Sequence, residues 1–236
     1  MSNISYLAIK TICFRKIKDF FIEFQHTIIS PLLSISLFIL ILTTISSYYK
    51  INSSNVNYLN FLIPGITMMM IMQISYQNIS ENLIHMKQIG SFNDYLISPT
   101  SRIEILISLI FSSIFISFFM GFICILIFSL FINIYITNIL LFIYYIFITS
   151  IIFSSFGAIV GFLFFSWDVQ SSFANFIVIP ISFLSGTFYD INSLNNGWKF
   201  ILKYNPFYYI IDNFRMSFNN EYHFNIKVEF FLLTVS

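Results

Sequence analysis

The sequence predicts an all-α, polytopic integral membrane protein organised as one transmembrane domain over 1–236, and three observations carry that prediction. Of the residues, 58% are hydrophobic and only 9% are charged, against about 25% charged in a soluble domain. The mean hydropathy is +0.85. From Ile105 to Trp167 run 63 residues without a charge. As one helix they would reach about 95 Å, far beyond a hydrocarbon core of about 30 Å, so they must fold back. Lys and Arg number 11 against 10 acidic residues, and no overall charge excess calls for nucleic acid. Cys13 and Cys124 fall at different depths and read as ordinary apolar residues, not as a disulfide framework.

Tyr6, Ile9, Cys13, Ile17, Phe20 and Phe24 recur at spacings of three and four, which sets them on one helical face. With Lys10, Arg15, Lys16 and Lys18 on the other side, residues 1–25 read as an amphipathic interfacial helix, basic side toward lipid headgroups. The run that follows is too long for a signal-peptide core and has no A-x-A-like cleavage site. It gives a first span over 27–48, with Pro31 in the first turn, where a missing N–H costs little. A second span covers 58–80. A kink is expected at Pro64-Gly65, and Met68, Met69, Met70 and Met72 read as adaptable packing or, alternatively, as a substrate-contacting surface.

The uncharged run divides at its most polar interruption, Asn133 to Asn138, giving spans over 103–132 and 139–166. Gly157-x-x-x-Gly161 in the latter would let another helix approach closely. A fifth span, 172–188, is broken by Pro180 and ends at Ser185-Gly186-Thr187. Residues 189–221 are neither apolar enough to cross nor polar enough for a free loop, and suggest two short helices around Asn205-Pro206 dipping into the interface. Residues 224–236 open a sixth apolar run too short to cross, the start of a truncated span. Lys and Arg concentrate before span one and in 81–102, which places the N-terminus and that segment in the cytoplasm. Lys199, Lys203 and Arg215 then fall outside, against the rule, in a segment long enough to follow it poorly.

As drawn, the five spans contain no acidic or basic side chain beyond Glu104, the second residue of the third, so an intramembrane relay or ion-driven pump has little to work with. There is no P-loop and no Cys/His metal spacing, and His26, His85 and His223 all lie near span ends. Energy for any work must enter from another protein. The charged island 81–102 is the largest internal surface open to one. In it Leu83, Met86, Lys87 and Gly90 precede Phe92, Asp94, Tyr95 and Leu96, then Ser98-Pro99 turns the chain back. Ser101 and Glu104 have the spacing of a capping box opening the next helix. A short helix pinned between two spans could pass a push to both; the plainer reading is a solvated loop with no partner.

The pattern Lys87-x-x-Gly90-Ser91-x-x-x-Tyr95-Leu96-Ile97-Ser98-Pro99-x-x-Arg102-x-Glu104 resembles the coupling-helix region of type-2 ABC exporter permeases. The stretch from Pro180 through Leu184-Ser185-Gly186-Thr187-Phe188-Tyr189, then Asn205-Pro206-Phe207-Tyr208-Tyr209-Ile210-Ile211-Asp212-x-x-Arg215, is similar to that family's fifth-span end and extracellular re-entrant hairpin. Phe61-Leu62-Ile63-Pro64-Gly65 also fits. Asp190 departs from the pattern, standing where the family often has proline, and the sixth helix is incomplete.

The resemblance implies a six-span permease working as a homodimer or heterodimer with a pair of cytoplasmic ABC ATPase subunits, which bind ATP and Mg, so that this chain carries no cofactor of its own. It also implies that the island, from Leu83 to Pro99, couples to the ATPase and that Gly186, Asn205, Pro206, Asp212 and Arg215 belong to the hairpin or gate. An apolar, aromatic wall points to an amphipathic or lipid-like cargo. The alternative from another class is a membrane-embedded transferase or polymerase acting on lipid-linked sugars through Asp190, Asp212 and Arg215.

Overall fold

The computed structural model describes residues 5–48, 55–98, 100–132, 134–189, 197–198 and 204–218, and no strand occurs among them. The helices are α1 (Tyr6–Ile22), α2 (Ser30–Tyr48, preceded by a π-helical turn, Gln25–Ile29), α3 (Asn55–Ile89), α4 (Ser91–Ile97), α5 (Arg102–Ser129) and α6 (Ile139–Leu163). A composite fifth span then joins α7 (Trp167–Phe173) and α8 (Ile179–Ser182) through a π-helical turn and ends in another, and α9 (Pro206–Arg215) follows. Five helical stretches are long and apolar enough to cross a membrane: Gln25–Thr44, Leu59–Ile89, Arg102–Ser129, Ile139–Leu163 and Trp167–Thr187. The expected all-α polytopic architecture is thus the observed one. Asp190 and residues 224–236 lie outside the described residues.

α3 is the axis of the molecule. Its membrane window is 72% buried inside the protein, against 6% for the first span. Met68, Ile71, Met72 and Tyr76 on one side join Phe142, Tyr145, Ile146 and Phe153 of α6; Leu62, Ile66 and Met70 join Met120, Cys124 and Phe128 of α5. The methionines pack the core, where their flexible thioethers fill gaps among bulky Phe and Ile. Two glycines set the α3–α6 distance. A Cβ on Gly157 would collide with the Tyr76 carbonyl oxygen, and one on Gly161 would sit 2.9 Å from Leu83 Cβ. The GxxxG spacing therefore marks a true close approach of backbones.

α3 runs unbroken through Pro64, and Gly65 serves a different purpose from flexibility: its missing Cβ leaves room for the Thr187 carbonyl, 2.6 Å from where that carbon would stand. α3 also continues nine residues past the expected span end at 80, through the charged island to Ile89. Hydropathy falls there, but Ile79, Leu83 and Met86 still bury an apolar stripe against Ile12, Ile105 and Leu109, and helix persists where one face stays covered. The fifth span starts at Trp167, not 172, because Ser166 caps it: its hydroxyl accepts from Asp168 N at 3.2 Å. Around Pro180 the span shifts to π-helical turns, and it closes on Gly186 at φ +76°, a left-handed conformation that glycine adopts without cost.

α1 differs from the sequence reading in where one basic residue lies. Its protein-facing stripe is Ile12, Lys16 and Phe20, while Tyr6 is 75% exposed and Phe24 is also exposed. Lys16, assigned to the headgroup side from sequence, is buried: its Nζ donates to Asn82 Oδ1 at 3.0 Å and stands 3.9 Å from Asp19 Oδ2. A partner 66 positions away satisfies the ammonium, and helical periodicity carries no signal of such a partner.

Candidate functional site

At one end of the molecule α4 is held between the ends of α3 and α5. Gly90 both stops α3 and starts α4, at φ +82° with open space around its α-carbon, so glycine is required there by backbone conformation alone. Within α4, Phe92 turns inward to an edge contact with Phe162, ring centroids 6.2 Å apart, and Tyr95 packs on the cluster of Ile12, Leu83 and Met86. Asn93, Asp94 and Ile97 turn outward, Ile97 being 84% exposed. A groove of about 490 Å³ separates α4 from α1, with Arg15 on one wall and Asp94 and Tyr95 on the other.

The residues proposed for coupling therefore divide. Asp94 faces out. Leu83 and Met86 are buried and hold α1 and α5 instead of meeting a partner. Lys87 donates to the Phe162 and Phe164 carbonyls at 2.6 and 3.2 Å and lies 4.2 Å over the Phe165 ring. It satisfies the free carbonyls at the C-terminus of α6 and complements the negative end of that helix. Next to it Trp167 Nε1 donates to Gln88 Oε1, and Gln88 Nε2 donates to the Phe165 carbonyl, so the start of the fifth span is stitched to the end of α3. Pro99 and the Leu96 side chain lie outside the described residues. Asn93 and Ile97 were not singled out by sequence reasoning, although Ile97 stands in the coupling-helix pattern; they are four residues apart and so share one helical face, as the inward Phe92 and Tyr95, three apart, share another.

The capping box is present. Glu104 N donates to Ser101 Oγ at 3.2 Å and Ser101 N to Glu104 Oε2 at 2.7 Å. Glu104 also accepts from Ser5 N at 2.5 Å through Oε1, and Ser5 is the N-cap of α1. One carboxylate thus joins the positive N-terminal ends of α1 and α5. On α1, burial is the main influence pushing the Lys16 ammonium below the usual lysine range, with Asp19 opposing it.

The opposite end is organised by Arg215, which is 2% exposed. Its Nη2 donates to the Gly186 and Thr187 carbonyls at 2.6 and 3.3 Å, its Nε to the Phe61 carbonyl at 3.2 Å, and Nη1 lies 3.7 Å from Asp212 Oδ1. The guanidinium also stacks 3.7 Å over the Phe61 ring. Asn205 caps α9 by accepting from Phe207 N at 3.0 Å and reaches Ser185 Oγ at 3.3 Å; Pro206 occupies the first helical position, suited to it. The far end of α9 is fixed too, since the Ser217 carbonyl accepts from Thr137 N and Asn138 N at 2.8 and 3.1 Å. The structure brings Gly186, Asn205, Pro206, Asp212 and Arg215 together as one junction of α3, the fifth span and α9. Arg215 is committed to three carbonyls, which leaves it no part as a surface acid or base. Among the described residues, no group of His, Cys, Asp or Glu could hold a metal.

Five helical stretches long and apolar enough to cross a membrane, with a short helix displayed at one end and a locked junction at the other, define a multi-pass membrane protein. Residues 8–219 match the profile of the ABC-2 type transporter family, and the chain belongs to that family. It is 22% identical over 218 residues to the inner membrane transport permease YadH of Escherichia coli (strain K12), covering 92% of this chain and 85% of that protein. The counterparts from Escherichia coli O157:H7 and Shigella flexneri align with the same identity and coverage.

Proposed function

We propose that the chain is the pathway-forming permease of an ATP-driven exporter in a bacterial inner membrane, and that it moves an amphipathic or lipid-like cargo. ATP, with Mg, is hydrolysed on a separate pair of cytoplasmic ABC ATPase subunits, and two permease copies, identical or paired with a related chain, enclose the route. The observation that carries this reading is the outward face of α4, Asn93, Asp94 and Ile97, on a helix that follows α3 directly at Gly90 and whose inward Phe92 and Tyr95 pack on Leu83 and Met86 of α3 and Ile105 of α5. A push on that face reaches both spans. In this reading the N-terminus and α4 are cytoplasmic. The burial of Arg215 supports that orientation, because a cation locked onto backbone carbonyls does not act as a free loop charge.

The test is affinity purification of the tagged chain from its own cells. An ATPase subunit should accompany the wild type and be lost from the double variant Asp94→Lys, Ile97→Asp. A protein that expresses equally and retains its ATPase would sink the coupling assignment. A cysteine at position 94 should react with a membrane-impermeant reagent only from the cytoplasmic side.

A further inference from the structure

Along α3 a row of polar side chains recurs every four residues on a face that the chain's own helices cover only in part: Gln73 and Gln77 are half-buried and Glu81 is exposed. Gln73 lies near the middle of the Leu59–Ile89 span. Its carboxamide and that of Gln77 make no hydrogen bond among the described residues. Beside this row, Glu81 meets the side chain of Gln170, whose Nε2 also donates to Ser80 Oγ at 3.2 Å. Gln170 opens the fifth span, and one turn on, Ser171 and Asn175 are exposed.

α3 and the fifth span run antiparallel, Gln170 near Ser80 and Thr187 near Gly65. Stepping round α3 at 100° per residue from the buried Tyr76 and Ser80, and round the fifth span at the smaller step of its π-helical turn from the buried Ala174 and Val178, both polar rows turn to the same side of the helix pair. An unpaired carboxamide facing hydrocarbon costs several kcal/mol, so this side does not face lipid tails. The one formal charge in the row, Glu81, is anionic. The nearest lysine on α3, Lys87, is spent on α6 carbonyls.

We propose that Gln73, Gln77 and Glu81, with Ser171 and Asn175 opposite, form a substrate track for amphiphiles with a cationic, hydrogen-bond-donating headgroup. This rests on the permease reading and narrows its cargo. Amide oxygens and hydroxyls replace the headgroup's water as it moves along the row, Glu81 supplies the countercharge, and the apolar tail stays against the surrounding Ile and Phe surface.

The test is equilibrium binding of radiolabelled dodecylamine to the full chain in nanodiscs of neutral lipid, with dodecyl maltoside and dodecyl sulfate as competitors. Dodecylamine should bind saturably. Glu81→Gln should weaken it by roughly tenfold or more, the size of a lost charge-assisted contact, and Gln77→Leu should weaken it further, while thermal stability is unchanged in both. Unchanged affinity in Glu81→Gln, or equal displacement by the neutral and anionic detergents, would overturn the proposal. So would spontaneous disulfide cross-linking of Gln77→Cys between two copies that saturating dodecylamine leaves unchanged, which would make the row a packed subunit seam closed to the amphiphile. None of these results depends on an ATPase. Loss of the track with the ATPase still co-purifying removes this inference alone; loss of the ATPase removes the permease reading.

Discussion

Single residues hold this protein at two points where a cation is taken out of water. Arg215 bridges three carbonyls from two other segments, and its planar fork is what allows the bridging. Arg215→Ala leaves those carbonyls and Asp212 without their cation, and should lower stability by about 3 kcal/mol. Arg215→Lys, one point charge in place of a fork, should recover only part of that loss; thermal unfolding in detergent reads both. Lys16 is the opposite case, because burial depresses its pKa. The native state then binds fewer protons than the unfolded one between the lowered value and about 10.4, so stability rises with pH through that window. In Lys16→Met the alkaline rise should disappear, which stability measured from pH 7 to 10.5 would show.

Elements meet here through caps and glycines more than through charges. The α3–α6 seam depends on Gly157, where a methyl group would strike the Tyr76 backbone, which cannot rotate away. Gly157→Ala should therefore destabilise by about 2 kcal/mol, the middle of the range for overpacking. Gly161→Ala meets Leu83 Cβ at 2.9 Å and Ser80 Cα at 3.2 Å, which no rotamer change moves, and should destabilise as well. At the start of α5, Ser101→Ala removes one half of a capping box and should cost about 1 kcal/mol. Because Glu104 also takes the Ser5 N–H, fraying should extend to α1, and hydrogen exchange at Tyr6–Ile9 should quicken along with exchange at the start of α5. Exchange confined to α5 would show that the two helices are not joined through Glu104.

For the whole molecule the telling contrast is between α3, mostly buried, and the first span, 6% buried. One protomer can complete its core around α3. The first span needs lipid or a second copy to cover Leu33, Leu37 and Ile41. Leu37→Ser should shift the protomer's melting temperature by no more than about 2 °C, as surface changes do, yet weaken self-association measured by light scattering in detergent. A large fall in melting temperature with self-association intact would argue against a two-copy assembly.

Much of this architecture was legible in the chain, because a bilayer is a severe solvent: runs of uncharged residues must become helices, and Pro180, Gly186 and Asn205-Pro206 mark where they break or begin. The Ser101–Glu104 cap and the Gly157–Gly161 approach were readable for the same reason, being set by short spacings that helix geometry fixes. Tertiary structure alone decided where the polar groups point. That Lys87 serves α6, that Lys16 is buried on Asn82, that Glu104 reaches Ser5 and that Gln73 and Gln77 stay only half-covered all depend on partners far along the chain, and a side chain's solvation is fixed only once those partners arrive.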